Sequence, residues 1–210
     1  SFFDDLSAIG VVPVVSIEDA RDALPLADAL LDGGLPVIEI TFRTHAAPEA
    51  IAAIAKHRPK MLVGAGTVLT ENQAKIAKHA GAKFALAPGI DVATLAYAKG
   101  QNLPFVPGIM TPTDLQIALR ANCELVKFFP AMSAGGLPAL KSMSAPYLYT
   151  GIRFNPTGGI TPETALNWLE YSAVSAVGGS WIANSSDINS HRWEKISRTA
   201  FNAVQRCQHG

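Results

Sequence analysis

The stretch "VVPVVSIED", residues 11–19, is a short apolar run that passes straight into a polar, helix-opening segment. A doubly wound nucleotide-binding sheet carries a glycine-rich G-x-G-x-x-G turn after its first strand, and this junction has none. The run therefore reads as the first strand of a different α/β fold. Seven more β-like runs follow: "VIEITF" (37–42), "MLVGAG" (61–66), "FALAPG" (84–89), "PFVPGI" (104–109), "LVKFFP" (125–130), "IRFNPTGG" (152–159) and "AVGGSW" (176–181). Their starts lie roughly 20 to 27 residues apart, which leaves room for strand, loop, helix and return loop. Eight such units are the count of a TIM (β/α)8 barrel, whereas a doubly wound sheet usually has fewer strands. The expectation is a single-domain (β/α)8 barrel over residues 1–210 with an extra N-terminal helix. That helix is "FFDDLSAI" (2–9), whose Phe2, Phe3, Leu6 and Ile9 share one face and would plug one end of the barrel.

Between the runs lie helix-like stretches. "SIEDARDALPLADALLDGG" is expected to open at Ser16 as N-cap, to close at Gly33 and Gly34, and to kink at Pro25. "TENQAKIAKHAG" and "TPETALNWLEY" open likewise at Thr70 and Thr161. Seventeen basic side chains balance seventeen acidic ones, so no charge surplus points to nucleic acid or an anionic membrane. A small anionic ligand would need only a local positive site. No apolar run approaches the ~18 residues of a membrane span, and the opening residues lack the basic-then-apolar pattern of a signal peptide. Two cysteines, Cys123 and Cys207, are too few for a disulfide framework or a zinc site and fit a reducing, cytoplasmic setting. His45, His57, His79, His191 and His209 show no metal-ligand spacing, and no nucleophile elbow is present.

Side chains alternate faces along a strand, so Glu39, Thr41 and Arg43 share one face of "VIEITFR" and Ile38, Ile40 and Phe42 share the other. The apolar set belongs against the helices and the polar set inside. The same alternation in "ELVKFFPA" (124–131) groups Leu125, Lys127 and Phe129. Buried acids and bases are costly unless paired or used at the C-terminal ends of the strands, where active sites of this fold sit. Two readings compete: a charge cluster that fixes strand register, and a reactive amine with its acid–base partner. Thr67, just past "MLVGAG", and Pro88, in "LAPG", belong to the same mouth. Glycine pairs close the seventh and eighth runs, in "NPTGGIT" and "VGGSW". Thr157, Gly158, Gly159, Gly179 and Ser180 would supply amides and hydroxyls to a phosphate there, with Trp181 bracing the second loop.

"VIEITFRT", "VGAGTVLT", "APGID", "PFVPGIMTPTD", "VKFFPA", "RFNPTGGIT" and "VGGSWI" together resemble, in order and spacing, the 2-dehydro-3-deoxy-6-phosphogluconate (KDPG) and 4-hydroxy-2-oxoglutarate (KHG) aldolases. The resemblance spans nearly the whole chain. It implies a class I, metal-free lyase on a trimeric barrel that needs no cofactor. Such an enzyme splits KDPG reversibly into pyruvate and glyceraldehyde 3-phosphate in the Entner–Doudoroff route. It further implies Lys127 as Schiff-base residue, Glu39 as general acid/base, and Arg43 and Thr67 at the pyruvate carboxylate. Pro88 and Phe129 complete the substrate-binding set, with the two glycine segments at the phosphate. Many family members continue "FFPA" with Glu, where this chain has Met132, and read "SPG" where it has "APG". Within the family, the galactonate-derived epimer and 4-hydroxy-2-oxoglutarate stay open as substrates; outside it, the alternative is a phosphosugar isomerase or epimerase using Glu39 alone. A binding protein without turnover would gain nothing from Glu39 and Lys127 together.

Overall fold

All eight apolar runs contain strand, and the fifth contains two short ones. The computed structural model describes residues 2–208, and the side chains of residues 6–207. The strands are β1 (Val11–Val15), β2 (Val37–Thr41), β3 (Leu62–Gly66), β4 (Phe84–Leu86), β5 (Phe105–Val106), β6 (Gly108–Ile109), β7 (Leu125–Phe128), β8 (Arg153–Pro156) and β9 (Val177–Gly179). The helices are α1 (Phe2–Ile9), α2 (Ala23–Asp32), α3 (Ala47–His57), α4 (Glu71–His79), α5 (Val92–Gly100), α6 (Pro112–Arg120), α7 (Gly136–Ser144), α8 (Ala165–Leu169), α9 (Ser185–Asn189) and α10 (Trp193–Gln208).

Strand and helix alternate as expected, but the strands do not join into one eight-stranded barrel. They form a six-stranded parallel sheet, in the order β5-β4-β3-β2-β1-β9, and a separate three-stranded sheet, β6-β7-β8. Proline explains both interruptions, because it has no N–H to give to a ladder. Pro107 divides the fifth run. Phe105 and Val106 pair with Ala85 and Leu86, whereas Gly108 and Ile109 pair with Lys127 and Phe128. At the other seam Phe154 donates to the Ala173 carbonyl and accepts from the Ser175 amide. Pro156, two residues on and facing the same way, cannot repeat this, so β8 meets the segment around β9 only in isolated bridges, Phe154 with Val174 and Thr157 with Gly178.

Local signals fared unevenly. Thr70 caps α4 by accepting from the Gln73 amide, as expected. Ser16 caps nothing: a short 3-10 turn, Ala20–Asp22, capped by Asp19, precedes α2. Pro25 falls in the first turn of α2, where a missing N–H is harmless, and not in its interior. The helix expected from Thr161 starts later, at Ala165. Helix α1 is present, and Leu6 is buried. The Phe2 and Phe3 part of its expected apolar face lies outside the described side chains, and His209 outside the described residues. Every residue of β2 is buried, as expected of a parallel strand covered on both faces. Among the described residues no helix is long and apolar enough to cross a membrane.

Candidate active site

Lys127 is the third residue of β7, between Gly108 of β6 and Asn155 of β8 in register. Glu39 is the central residue of β2, between Val14 of β1 and Gly64 of β3. The two belong to different sheets and meet across the interior. Lys127 Nζ donates to Glu39 Oε1 at 3.1 Å, and the residues are only 5% and 0% exposed. Glu39 Oε2 is also buried and has no hydrogen-bond partner among the described residues. The Phe129 ring centroid lies 5.7 Å from Lys127 Nζ, a cation–π distance that shields the amine from water.

Space for the carboxylate comes from β3. A Cβ on Gly66 would lie 2.2 Å from Glu39 Oε1, so the carboxylate sits where it does because this position is glycine. Sequence reading did not single out Gly66. The available signal was a glycine inside a strand, which often marks close approach of another group.

The other expected residues gather at the C-terminal ends of the strands. Arg43 was expected on the Glu39 face, but β2 stops at Thr41 and Arg43 lies in the following turn, exposed. It has no hydrogen-bond or ion-pair partner among the described residues. Thr41 stays inside; its hydroxyl donates to the Val15 carbonyl and meets Ser16 Oγ at 2.8 Å. Phe42 N–H donates to the Gly66 carbonyl, which sets the Arg43 turn beside Thr67. Thr67 holds a φ of +56°, in the left-handed region that a β-branched residue rarely enters. Strain of this kind, of order 1–3 kcal/mol, collects at functional sites. Pro88 borders the Lys127 strand through Gly108, where an added Cβ would lie 2.1 Å from the Pro88 carbonyl carbon.

The two glycine segments come together. The Thr157–Gly178 bridge joins them, and the carbonyls of Thr157 and Gly158 accept from the amides of Ala131 and Met132, just past β7. The glycine loop is thereby strapped to the exit of the lysine strand. Gly158 and Gly159 hold φ of +106° and +76°, and their amides donate to no group among the described residues. Gly179 leaves room for the Trp181 ring, which would lie 2.3 Å from an added Cβ, so Trp181 does brace this loop. Ser180 is exposed beside it. Thr157 is buried, and its hydroxyl donates inward to Asn155 Oδ1 at 3.1 Å.

Taken together, this is a buried amine and carboxylate in contact, an unpartnered guanidinium beside a strained threonine, and a cluster of free backbone amides. The arrangement suits covalent chemistry on a small anionic carbonyl compound. The family model described as "Aldolase: KDPG and KHG aldolase" matches residues 4–199. The chain is 39% identical over 98% of its length to 97% of a 2-dehydro-3-deoxy-phosphogluconate aldolase of Treponema pallidum. It superposes with a TM-score of 0.90, at 37% identity and covering 95% of this chain and 96% of the other, on the KDPG aldolase of Legionella pneumophila, in which pyruvate was captured as a covalent carbinolamine. A Zymomonas mobilis 2-keto-3-deoxy-6-phosphogluconate aldolase with 3-phosphoglycerate gives 0.86 at 41% identity, covering 96% and 94% of the two chains.

Proposed function

The chain belongs to the KDPG and KHG aldolase family, and from that premise we propose that it is a class I aldolase that reversibly cleaves KDPG into pyruvate and glyceraldehyde 3-phosphate through a Schiff base on Lys127. One observation carries the residue assignment: the contact between Lys127 Nζ and Glu39 Oε1, both buried, which leaves the other carboxylate oxygen without a partner among the described residues. A purely structural ion pair would gain little from that arrangement over hydrophobic packing.

Lysine is almost wholly protonated at neutral pH, so the amine must lose a proton before it can attack. Glu39 Oε1 is placed to take it. Nζ then attacks the C2 ketone, Glu39 returns its proton to the carbinolamine hydroxyl, and loss of water leaves an iminium that draws electrons from the C3–C4 bond. Glu39 removes the C4 hydroxyl proton, directly or through one water, as that bond breaks and the aldehyde departs. The enamine is protonated at C3, and water releases pyruvate and restores the amine. Because the iminium is the electron sink, the reaction needs no metal or cofactor.

Arg43 is free to hold the substrate carboxylate as a fork, with Thr67 beside it. The amides of Gly158 and Gly159, with Gly179 and Ser180, form the phosphate station, and binding energy from that remote group helps to orient the reacting bond. Pro88 and Phe129 complete the substrate-binding set in this reading. The homotrimer that the resemblance implies belongs to the same proposal and is tested by sedimentation. Borohydride added with pyruvate is expected to inactivate the protein irreversibly and to place the reduced adduct on the peptide containing Lys127. A coupled assay of pyruvate release then compares KDPG with its galactonate-derived epimer. No adduct, or an adduct on another lysine, would overturn the reading.

A further inference from the structure

Asn155 is the register partner of Lys127, 1% exposed, on the strand that leads into the glycine loop. Its amide makes two hydrogen bonds of unequal freedom. Nδ2 donates to the Ala176 carbonyl at 3.1 Å, and Oδ1 accepts from the Thr157 hydroxyl at 3.1 Å. A backbone carbonyl can only accept, so the amide nitrogen must face Ala176. The flipped amide would set two oxygens against each other in a buried place, at the full cost of an unsatisfied pair. The oxygen is therefore fixed toward Thr157. An amide oxygen also only accepts, so the Thr157 hydroxyl has to donate to it. The single proton of that hydroxyl is then committed, and Thr157 Oγ1 has only lone pairs left to offer. Gly178 leaves the room for this side chain, since Oγ1 lies only 2.2 Å from where a Cβ would stand.

We propose that Asn155 is a positioning residue that, held by the Ala176 carbonyl, makes Thr157 an obligate hydrogen-bond acceptor facing the substrate. This replaces the sequence expectation that the Thr157 hydroxyl donates to phosphate. An acceptor next to an anionic oxygen is repulsive, so the group that Thr157 receives is a neutral hydroxyl of the aldol substrate. Anion binding falls to the glycine amides. The inference rests on the aldolase reading of this site.

The test separates two partial reactions. Pyruvate alone exchanges its methyl protons through the enamine and carries no hydroxyl for Thr157, whereas aldol cleavage of KDPG does. Asn155→Leu, similar in size but without hydrogen-bonding groups, is expected to lower kcat/KM for cleavage about tenfold, the factor of one ordinary hydrogen bond, and to leave proton exchange within about twofold of wild type. Thr157→Val is expected to do the same, and the double variant no more than either single one. Equal losses in exchange and cleavage would mean a merely structural role and overturn the proposal, as would multiplying losses in the double variant. Neutron diffraction of the wild-type protein reads the same point without any variant. A Thr157 hydroxyl deuterium on the line to Asn155 Oδ1 supports the proposal, and one turned away from Asn155 refutes it. Wild-type protein with neither exchange nor cleavage would remove the aldolase reading itself, and this inference with it.

Discussion

Two buried acids in this protein are handled in opposite ways. Asp187, in α9, is 3% exposed and fully satisfied. Oδ1 accepts from Arg192 Nη1 at 3.0 Å and Lys195 Nζ at 2.9 Å, and Oδ2 accepts from Asn184 Nδ2 at 2.8 Å. Lys195, first among these partners, holds its carboxyl below the usual carboxylate range. Both cations keep more than half their side-chain surface in water, at 53% and 58%. Glu39 is 0% exposed, meets one cation that is itself buried, and leaves one oxygen without a partner. A saturated acid with hydrated partners clasps two helices. An under-satisfied acid against a sequestered amine is held ready to exchange protons. Buried polar groups are nearly always paired, so the exception is the informative one.

If that contrast is right, the largest effect belongs to the amine. Lys127→Arg keeps the charge beside Glu39 but supplies a guanidinium that cannot be deprotonated. Turnover is expected to fall by roughly 10⁴-fold or more, with no borohydride-trapped pyruvate, while the fold by circular dichroism is retained. An active arginine variant would turn the pair into a register-fixing charge cluster, no different in kind from Asp187.

Glu39→Gln comes next. The amide fits the space left by Gly66 and can still accept from Lys127, but it cannot carry a proton. Cleavage is expected to drop by about 10²–10⁴-fold, the usual contribution of general acid–base catalysis, with pyruvate binding retained in equilibrium dialysis. A kcat close to wild type would reject the role.

A smaller effect comes from the substrate side. Removing the phosphate should lower kcat/KM by roughly 10–10²-fold, since hydrogen bonds to a charged group contribute about 1.5–3 kcal/mol. Equal efficiency on the 6-phosphate and on 2-keto-3-deoxygluconate would leave the free amides of Gly158 and Gly159 without a ligand.

How far the sequence revealed this site depends on the range of each signal. Strand alternation carried Glu39 and Lys127 to the interior, because period-two patterning is local and both strands are regular where those residues sit. It failed for Arg43, two residues beyond the end of β2, since alternation lapses where a turn begins. The count of eight runs was legible. The splitting of the ladder at Pro107 and Pro156 was not, although both prolines stand in plain view: which ladder a missing N–H breaks depends on which neighbour that residue faces. Ser16 was misread as a cap because a serine before an acidic stretch looks like one locally, while its partner, Thr41, lies 25 residues away. Gly66 and Asn155 escaped notice for a related reason. Neither is chemically distinctive, and each matters only through what tertiary structure places against it.

The smallest effect tests the other half of the comparison. Asp187→Asn keeps the shape and two acceptor lone pairs but removes the charge that Arg192 and Lys195 share. Those cations are already half in water and rehydrate readily, so the loss at pH 7 is expected to be only about 1–2 kcal/mol. For a chain of this length that is a Tm lowered by roughly 2–8 °C. Because the folded pKa of Asp187 is depressed, its contribution is fully present above the unfolded value of about 3.9 and is lost as pH falls through the folded one. The stability gap between wild type and variant, from urea titrations, should therefore be constant near neutrality and close below about pH 4. Cleavage by the variant should stay within about threefold of wild type. A collapse in turnover comparable to that of Glu39→Gln, at unchanged Tm, would mean that saturation of a buried acid does not mark it as structural in this protein.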